Sequence, residues 1–172
     1  MTVLANTYTL IASSTVGSGG ASSIDFTSIP STYTDLLLKV SSRSSDASVV
    51  AGITVQFNSD TTSGNYTWKR LYGDGSSAPG SDSNFNFVLI SAANNTANTF
   101  GNGEIYISNY AGSSAKSISA DSVSENNATN AYAILGAGKW SGTSAITSIK
   151  LVISAGNFVQ YSTAYLYGIK NS

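Results

Sequence analysis

Apolar residues in this chain recur with a period of two, not of 3.6, and that feature restricts what it can fold into more than any other. Within residues 35–43, Leu36, Leu38 and Val40 fall on one face, and Leu37, Lys39 and Ser41 on the other. Residues 103–109 set Ile105 and Ile107 against Glu104, Tyr106 and Ser108, and residues 146–154 set Ile149, Leu151 and Ile153 against Lys150 and Val152. Weaker alternation marks residues 8–16, 22–26, 53–58, 66–72, 85–90, 116–123, 131–135 and 164–169. Turn residues cluster between these runs, at 17–20, 58–65, 73–83, 92–103 and 125–130. No stretch carries a helical stripe. Ten or eleven short strands without βα alternation predict an all-β fold, an antiparallel two-sheet β-sandwich of jelly-roll type, with a closed barrel as the alternative. One domain over residues 1–172 is expected, its first few residues forming a short docking arm.

The composition supports strands and turns. The chain has 32 Ser, 17 Thr, 15 Asn and 16 Gly, types that favour strands, caps and turns over helix interiors. Charged residues are 10% of the chain, against about 25% in an average soluble domain, so most of the solvent-facing surface is neutral and polar. There is no His and no Cys. That removes Ser-His-Asp and Cys-His nucleophiles, imidazole or thiolate zinc sites, thiol redox chemistry and a histidine pH switch. With 8 basic and 9 acidic residues, and Lys69-Arg70 as the nearest thing to a basic cluster, no nucleic-acid partner is expected. The apolar runs are far shorter than the ~20 residues of a membrane helix, so no membrane partner is expected either.

Motifs that carry chemistry elsewhere lack their context here. The Gly-x-Gly steps at Gly17, Gly73, Gly101 and Gly136 do not link a strand to a helix. Gly138-Lys139 is followed by Trp140 where a phosphate loop needs Ser or Thr. Asp74 and Asp82 bracket a loop without the acidic alternation of a calcium site, which reads better as a solvated turn. A glycosidase pair would have to be built from Glu104, Glu125 or one of seven Asp residues, with no spacing to fix it. The expectation is therefore a non-enzymatic protein with no cofactor and no metal. Trp68, Arg70 and Tyr72 share a face of one strand and, with Trp140, are the candidate contacts for a partner or ligand. Cross-strand packing and a cation-π contact within the sheet are the plainer reading of the same residues. The tyrosines Tyr161, Tyr165 and Tyr167 stand under the same pair of readings.

Residues 22–40, Ser-Ser-Ile-Asp-Phe-Thr-Ser-Ile-Pro-Ser-Thr-Tyr-Thr-Asp-Leu-Leu-Leu-Lys-Val, form a strand, a proline turn and a second strand. They resemble small β-sandwich virion proteins of tailed bacteriophages, especially those of aquatic and cyanobacterial hosts. The ending Ser-Thr-Ala-Tyr-Leu-Tyr-Gly-Ile-Lys-Asn-Ser at 162–172 is similar in style. The resemblance implies a capsid decoration or cement protein, homotrimeric, made in the host cytoplasm and carried on the outer capsid surface, with the major capsid protein lattice as its partner. It implies no catalytic residues. A tail-fibre or appendage module that binds host-surface glycan is the alternative. Fibre modules usually come with a shaft or repeat, and none is read between Met1 and Ser172, which favours the capsid.

Overall fold

The computed structural model describes residues 7–81, 86–125 and 131–170. The expected N-terminal arm, Asp82, and the last two residues of the C-terminal motif lie outside the described residues. The strands are β1 (Tyr8–Thr15), β2 (Ser23–Phe26), β3 (Asp35–Ser42), β4 (Val50–Phe57), β5 (Tyr66–Gly73) and the two-residue β6 (Gly80–Ser81). They continue with β7 (Val88–Ser91), β8 (Gly101–Ile107), β9 (Lys116–Ser124), β10 (Tyr132–Trp140), β11 (Ile149–Ile153) and β12 (Thr163–Ile169). The one helical element among the described residues is a 3₁₀ turn at Ser63–Asn65.

Two sheets form, in the orders β1-β12-β3-β8-β9-β10-β5-β6 and β2-β11-β4-β7, and every strand pairing in them is antiparallel. The arrangement is a sandwich and not a closed barrel. Four nested pairs, β1 with β12, β2 with β11, β3 with β8 and β4 with β7, lie alternately in one sheet and the other. That is the winding of a jelly roll, a long hairpin rolled up on itself. The other four strands are additions. β5 and β6 are inserted between β4 and β7, β9 and β10 between β8 and β11, and all four widen only the larger sheet.

Inward-facing Leu36, Leu38, Val40, Ile105, Ile107 and Leu166 of the larger sheet belong to one buried core with Ile53, Val55, Phe57, Ile149 and Leu151 of the smaller. At one corner the sheets come much closer than the usual ~10 Å between stacked sheets. A Cβ on Gly101 would lie 2.8 Å from Ile90 Cα, and one on Gly103 would lie 2.7 Å from Val88 Cγ1. Glycine at these two β8 positions, with small Ala120, Ser122 and Ser124 pointing inward from β9, lets β7 lie directly on the larger sheet. Polar groups met on the way are paired: Leu89 N donates to Ser122 Oγ at 3.0 Å, and the Ser91 and Ser124 hydroxyls bond each other at 3.0 Å.

Beyond β7, the edge strand of the smaller sheet, aromatic residues cover the inner faces of β10 and β5. Trp68 packs on Phe87 with ring centroids 4.5 Å apart, and Phe57 packs on Trp140 at 5.5 Å and on Tyr66 at 6.1 Å. Gly136 and Gly138 of β10 make room for the Trp68 ring, since a Cβ on Gly136 would lie 2.0 Å from its Cζ2. An aromatic ring laid over a cross-strand glycine restores packing that the glycine lacks. These glycines, which lie past the expected end of their strand, are therefore strand interior, and β10 runs five residues past that end at Leu135.

Candidate interaction surface

Trp68 and Trp140 are 5% and 3% exposed, so the side chains expected to anchor a partner are core groups. The reason is strand parity: Tyr66, Trp68, Arg70 and Tyr72 do share a face of β5, and it is the inner one. Trp140 Nε1 donates to Asp60 Oδ2 at 2.8 Å, and Tyr66 Oη donates to the Asp60 carbonyl at 2.9 Å. Together they tie the β4–β5 connection to the sheet. With Asn65 Nδ2 and Thr62 N also donating to it, the Asp60 carboxyl is lowered to about 2, chiefly by the Trp140 bond. Arg70 and Tyr72 are half-buried at the far end of the strand, with the guanidinium carbon 5.0 Å from the Tyr72 ring centroid. Asp74 is held in its own turn by the backbone N–H groups of Ser76 and Ser77 and by their hydroxyls, an Asx turn. No group of three or more potential metal ligands occurs among the described residues. Glu104 is engaged by Lys39 in an ion pair.

The surface that stands out is the outer face of the eight-stranded sheet. Eight large apolar side chains are exposed among the described residues, and seven of them, Tyr8, Leu10, Leu71, Tyr106, Val123, Leu135 and Tyr165, lie on this face. The strand registers arrange them in rows. One row crosses six strands as Tyr165, Lys39, Glu104, Asp121, Leu135 and Leu71. The next runs Leu10, Tyr167, Leu37, Tyr106, Ser119, Ala137 and Lys69. Three shallow hollows lie on the face. Lys69, Leu71, Gly80, Leu135 and Ala137 line the largest, about 740 Å³, and Tyr8, Leu37 and Glu104 line both smaller ones, about 230 and 330 Å³.

Charge on this face is sparse and largely matched. Lys39, held by Glu104, has its pKa raised by that bond, whereas Asp121 beside them is raised by burial and by the Glu104 charge. Tyr106 Oη donates to Asp35 Oδ2 at 2.6 Å, which pushes the phenol up to about 12. Sequence reasoning placed Leu37, Glu104 and Tyr106 on the outward side of their strands but did not bring them together. Leu71, Val123 and Leu135 were missed as surface groups, because alternation within one strand does not say what covers either face.

The chain matches no protein-family model, no curated protein and no solved structure.

Proposed function

We propose that the protein is a non-enzymatic virion structural protein of a tailed bacteriophage, a cement or decoration protein that binds the assembled capsid through the outer face of its eight-stranded sheet. The observation that carries this reading is the gathering of seven of eight exposed large apolar side chains on that face. Scattered apolar residues are ordinary on a surface, whereas a contiguous apolar expanse marks an interaction site. The seven long strands of this sheet, at a spacing of about 4.8 Å and a height of about 25 Å, give roughly 800 Å², the share of one partner in a standard interface. Its charges, Lys39, Lys69, Glu104 and Asp121 among them, are of both signs and largely offset one another, so association is expected to depend weakly on salt. The proposal includes a homotrimer, tested by sedimentation of the free and capsid-bound protein; a monomer in both states removes it.

A cement protein binds the assembled lattice in preference to dispersed subunits, and mass action then stabilises the shell. Particles lacking the protein are expected to adsorb to cells normally and to release DNA at a lower temperature. Normal thermal stability with failed adsorption would replace this reading by the second one, an appendage module that binds host-surface glycan. What favours that second reading is the clustering of Tyr8, Tyr106 and Tyr167 around Glu104 and Asp121 in the smaller hollows, rings and carboxylates in reach of one sugar.

A further inference from the structure

Arg43 follows β3 at one end of the sandwich and is 8% exposed. Its Nη1 donates to the carbonyls of Thr96 at 2.8 Å and Thr99 at 2.9 Å, and its Nη2 to those of Ala93 at 3.2 Å and Asn95 at 3.0 Å. Four of the five guanidinium hydrogens are thus taken by one loop, which leaves Nε–H as the donor those carbonyls do not use. Carbonyl dipoles satisfy the hydrogens and leave the charge itself unmatched. No carboxylate is ion-paired with Arg43 among the described residues, and a buried cation without a counter-ion is costly.

The same residue lines a cavity of about 490 Å³ with Asn98, Phe100, Val159, Gln160 and Tyr161. That volume falls within the range of small-ligand sites. Two of its rim residues hold left-handed backbone, Asn98 at φ 63° and Tyr161 at φ 71°. Asn tolerates this conformation, but for a bulky residue it is an outlier of the kind that gathers at binding sites. Tyr161 is nonetheless 68% exposed, the one exposed large apolar side chain among the described residues that lies away from the outer sheet face. Its backbone is pinned there, since Tyr161 N donates to Val16 O at 2.9 Å and Arg43 N donates to the Ser162 hydroxyl at 3.2 Å.

We infer that this end cavity binds a carboxylate carried on an apolar or aromatic stem, with Arg43 meeting the carboxylate and Tyr161 and Phe100 flanking the stem. The Asn98 and Gln160 amides supply further donors at the rim. The carboxylate belongs either to a free organic acid or to the C-terminus of a neighbouring protein. The inference stands apart from the capsid reading, because the site lies at the strand ends and shares no residue with the outer sheet face.

The test is an NMR titration of the intact ¹⁵N-labelled chain at neutral pH with 3-phenylpropionate and, separately, with its neutral amide. The acid is expected to bind with a dissociation constant of about a millimolar and about fivefold or more tighter than the amide. Amide shifts are expected at Thr96–Phe100 and Val159–Ser162. Asn98→Asp keeps a residue that accepts left-handed backbone and sets a negative charge on the rim, so it weakens the acid about fivefold more than it weakens the amide. Tyr161→Gly relieves the backbone, raises the melting temperature and weakens both probes. A titration with Gly-Gly-Phe separates the sources: shifts at the same amides admit a protein C-terminus, and binding of 3-phenylpropionate alone restricts the site to free acids. Equal affinity for acid and amide, shifts elsewhere, or no saturation with 3-phenylpropionate would overturn the inference.

Discussion

Leu71 and Leu135 are cross-strand partners on β5 and β10, toward the β6 edge of the widened sheet, 61% and 63% exposed, and replacing both by Ser is the sharpest test of the outer face. Burying a whole Leu side chain is worth about 2 kcal/mol, so the part of each still open to water carries about 1.2 kcal/mol. Closing a partner over both would therefore contribute about 2.5 kcal/mol, and the double variant is expected to bind assembled shells roughly sixtyfold more weakly. The two side chains touch the same hollow, so the single variants need not sum to the double one. Folding is a separate matter: exposed positions away from caps and networks usually change stability by about 0.5 kcal/mol or less. Cosedimentation with emptied capsids, over a concentration series and beside a melting curve of the free protein, reads both quantities. Wild-type binding with a loss under about threefold in the double variant would refute the assignment of this face. A large fall in melting temperature would instead refute the claim that these leucines contribute little to the core.

Gly101→Ala is expected to cost about 3 kcal/mol and lower the melting temperature by about 8 °C, because its Cβ meets the Ile90 backbone at 2.8 Å and no side chain can turn aside. The lowered Asp60 carboxyl gives an acid-side prediction: its contribution is complete above the ordinary value of 3.8 and is lost as pH falls from there toward 2. Acid unfolding followed by circular dichroism should accordingly be shallower through that window in Asp60→Asn, with Asp74, also lowered to about 2, supplying the remainder. Tyr106 acts at the other end of the scale. Its phenol is raised from 10.0 to about 12, so its share of stability is complete below pH 10 and lost as pH rises through 12; burial raises the Tyr66 and Tyr110 phenols as well, and alkaline spectrophotometric titration should find the late-titrating set smaller by one phenol in Tyr106→Phe.

Most strands were legible because alternation survives wherever one side of a strand meets the core. Asp35–Ser42 and Lys116–Ser124 coincide with their expected spans to within a residue. Three things were not legible, each for a physical reason. The expected strand stops at Leu135, short of Gly136-Ala137-Gly138, and only the Trp68 ring on the neighbouring strand shows why glycine belongs in a strand there. On β5 both faces offer apolar residues, Tyr66 and Trp68 on one and Leu71 on the other, so parity alone left open which side was inner. Arg43 gave no signal beyond its place at the end of a strand, since its partners are backbone carbonyls some fifty residues away, a contact with no side-chain signature.

The additions to the jelly roll bear directly on what the surface can do. Eight nested strands already make two four-stranded sheets that cover one another, and such a sandwich presents two outer faces of similar width. Inserting β5, β6, β9 and β10 into one sheet only makes the faces unequal, and the added strands supply Leu71, Val123 and Leu135 to the wider one. That widening carries a structural cost, because the inner side of the added strands extends past β7, the edge strand of the smaller sheet. Trp68, Trp140, Tyr66, Phe57 and Phe87 fill the gap, which accounts for both tryptophans of the chain being spent inside. Trp68 and Trp140, which looked most like binding groups in the sequence, therefore hold the wide outer face in place. A substitution at Trp68 would act on partner binding through the position of β5 and β10, whereas substitutions at Leu71 and Leu135 would act on it by contact.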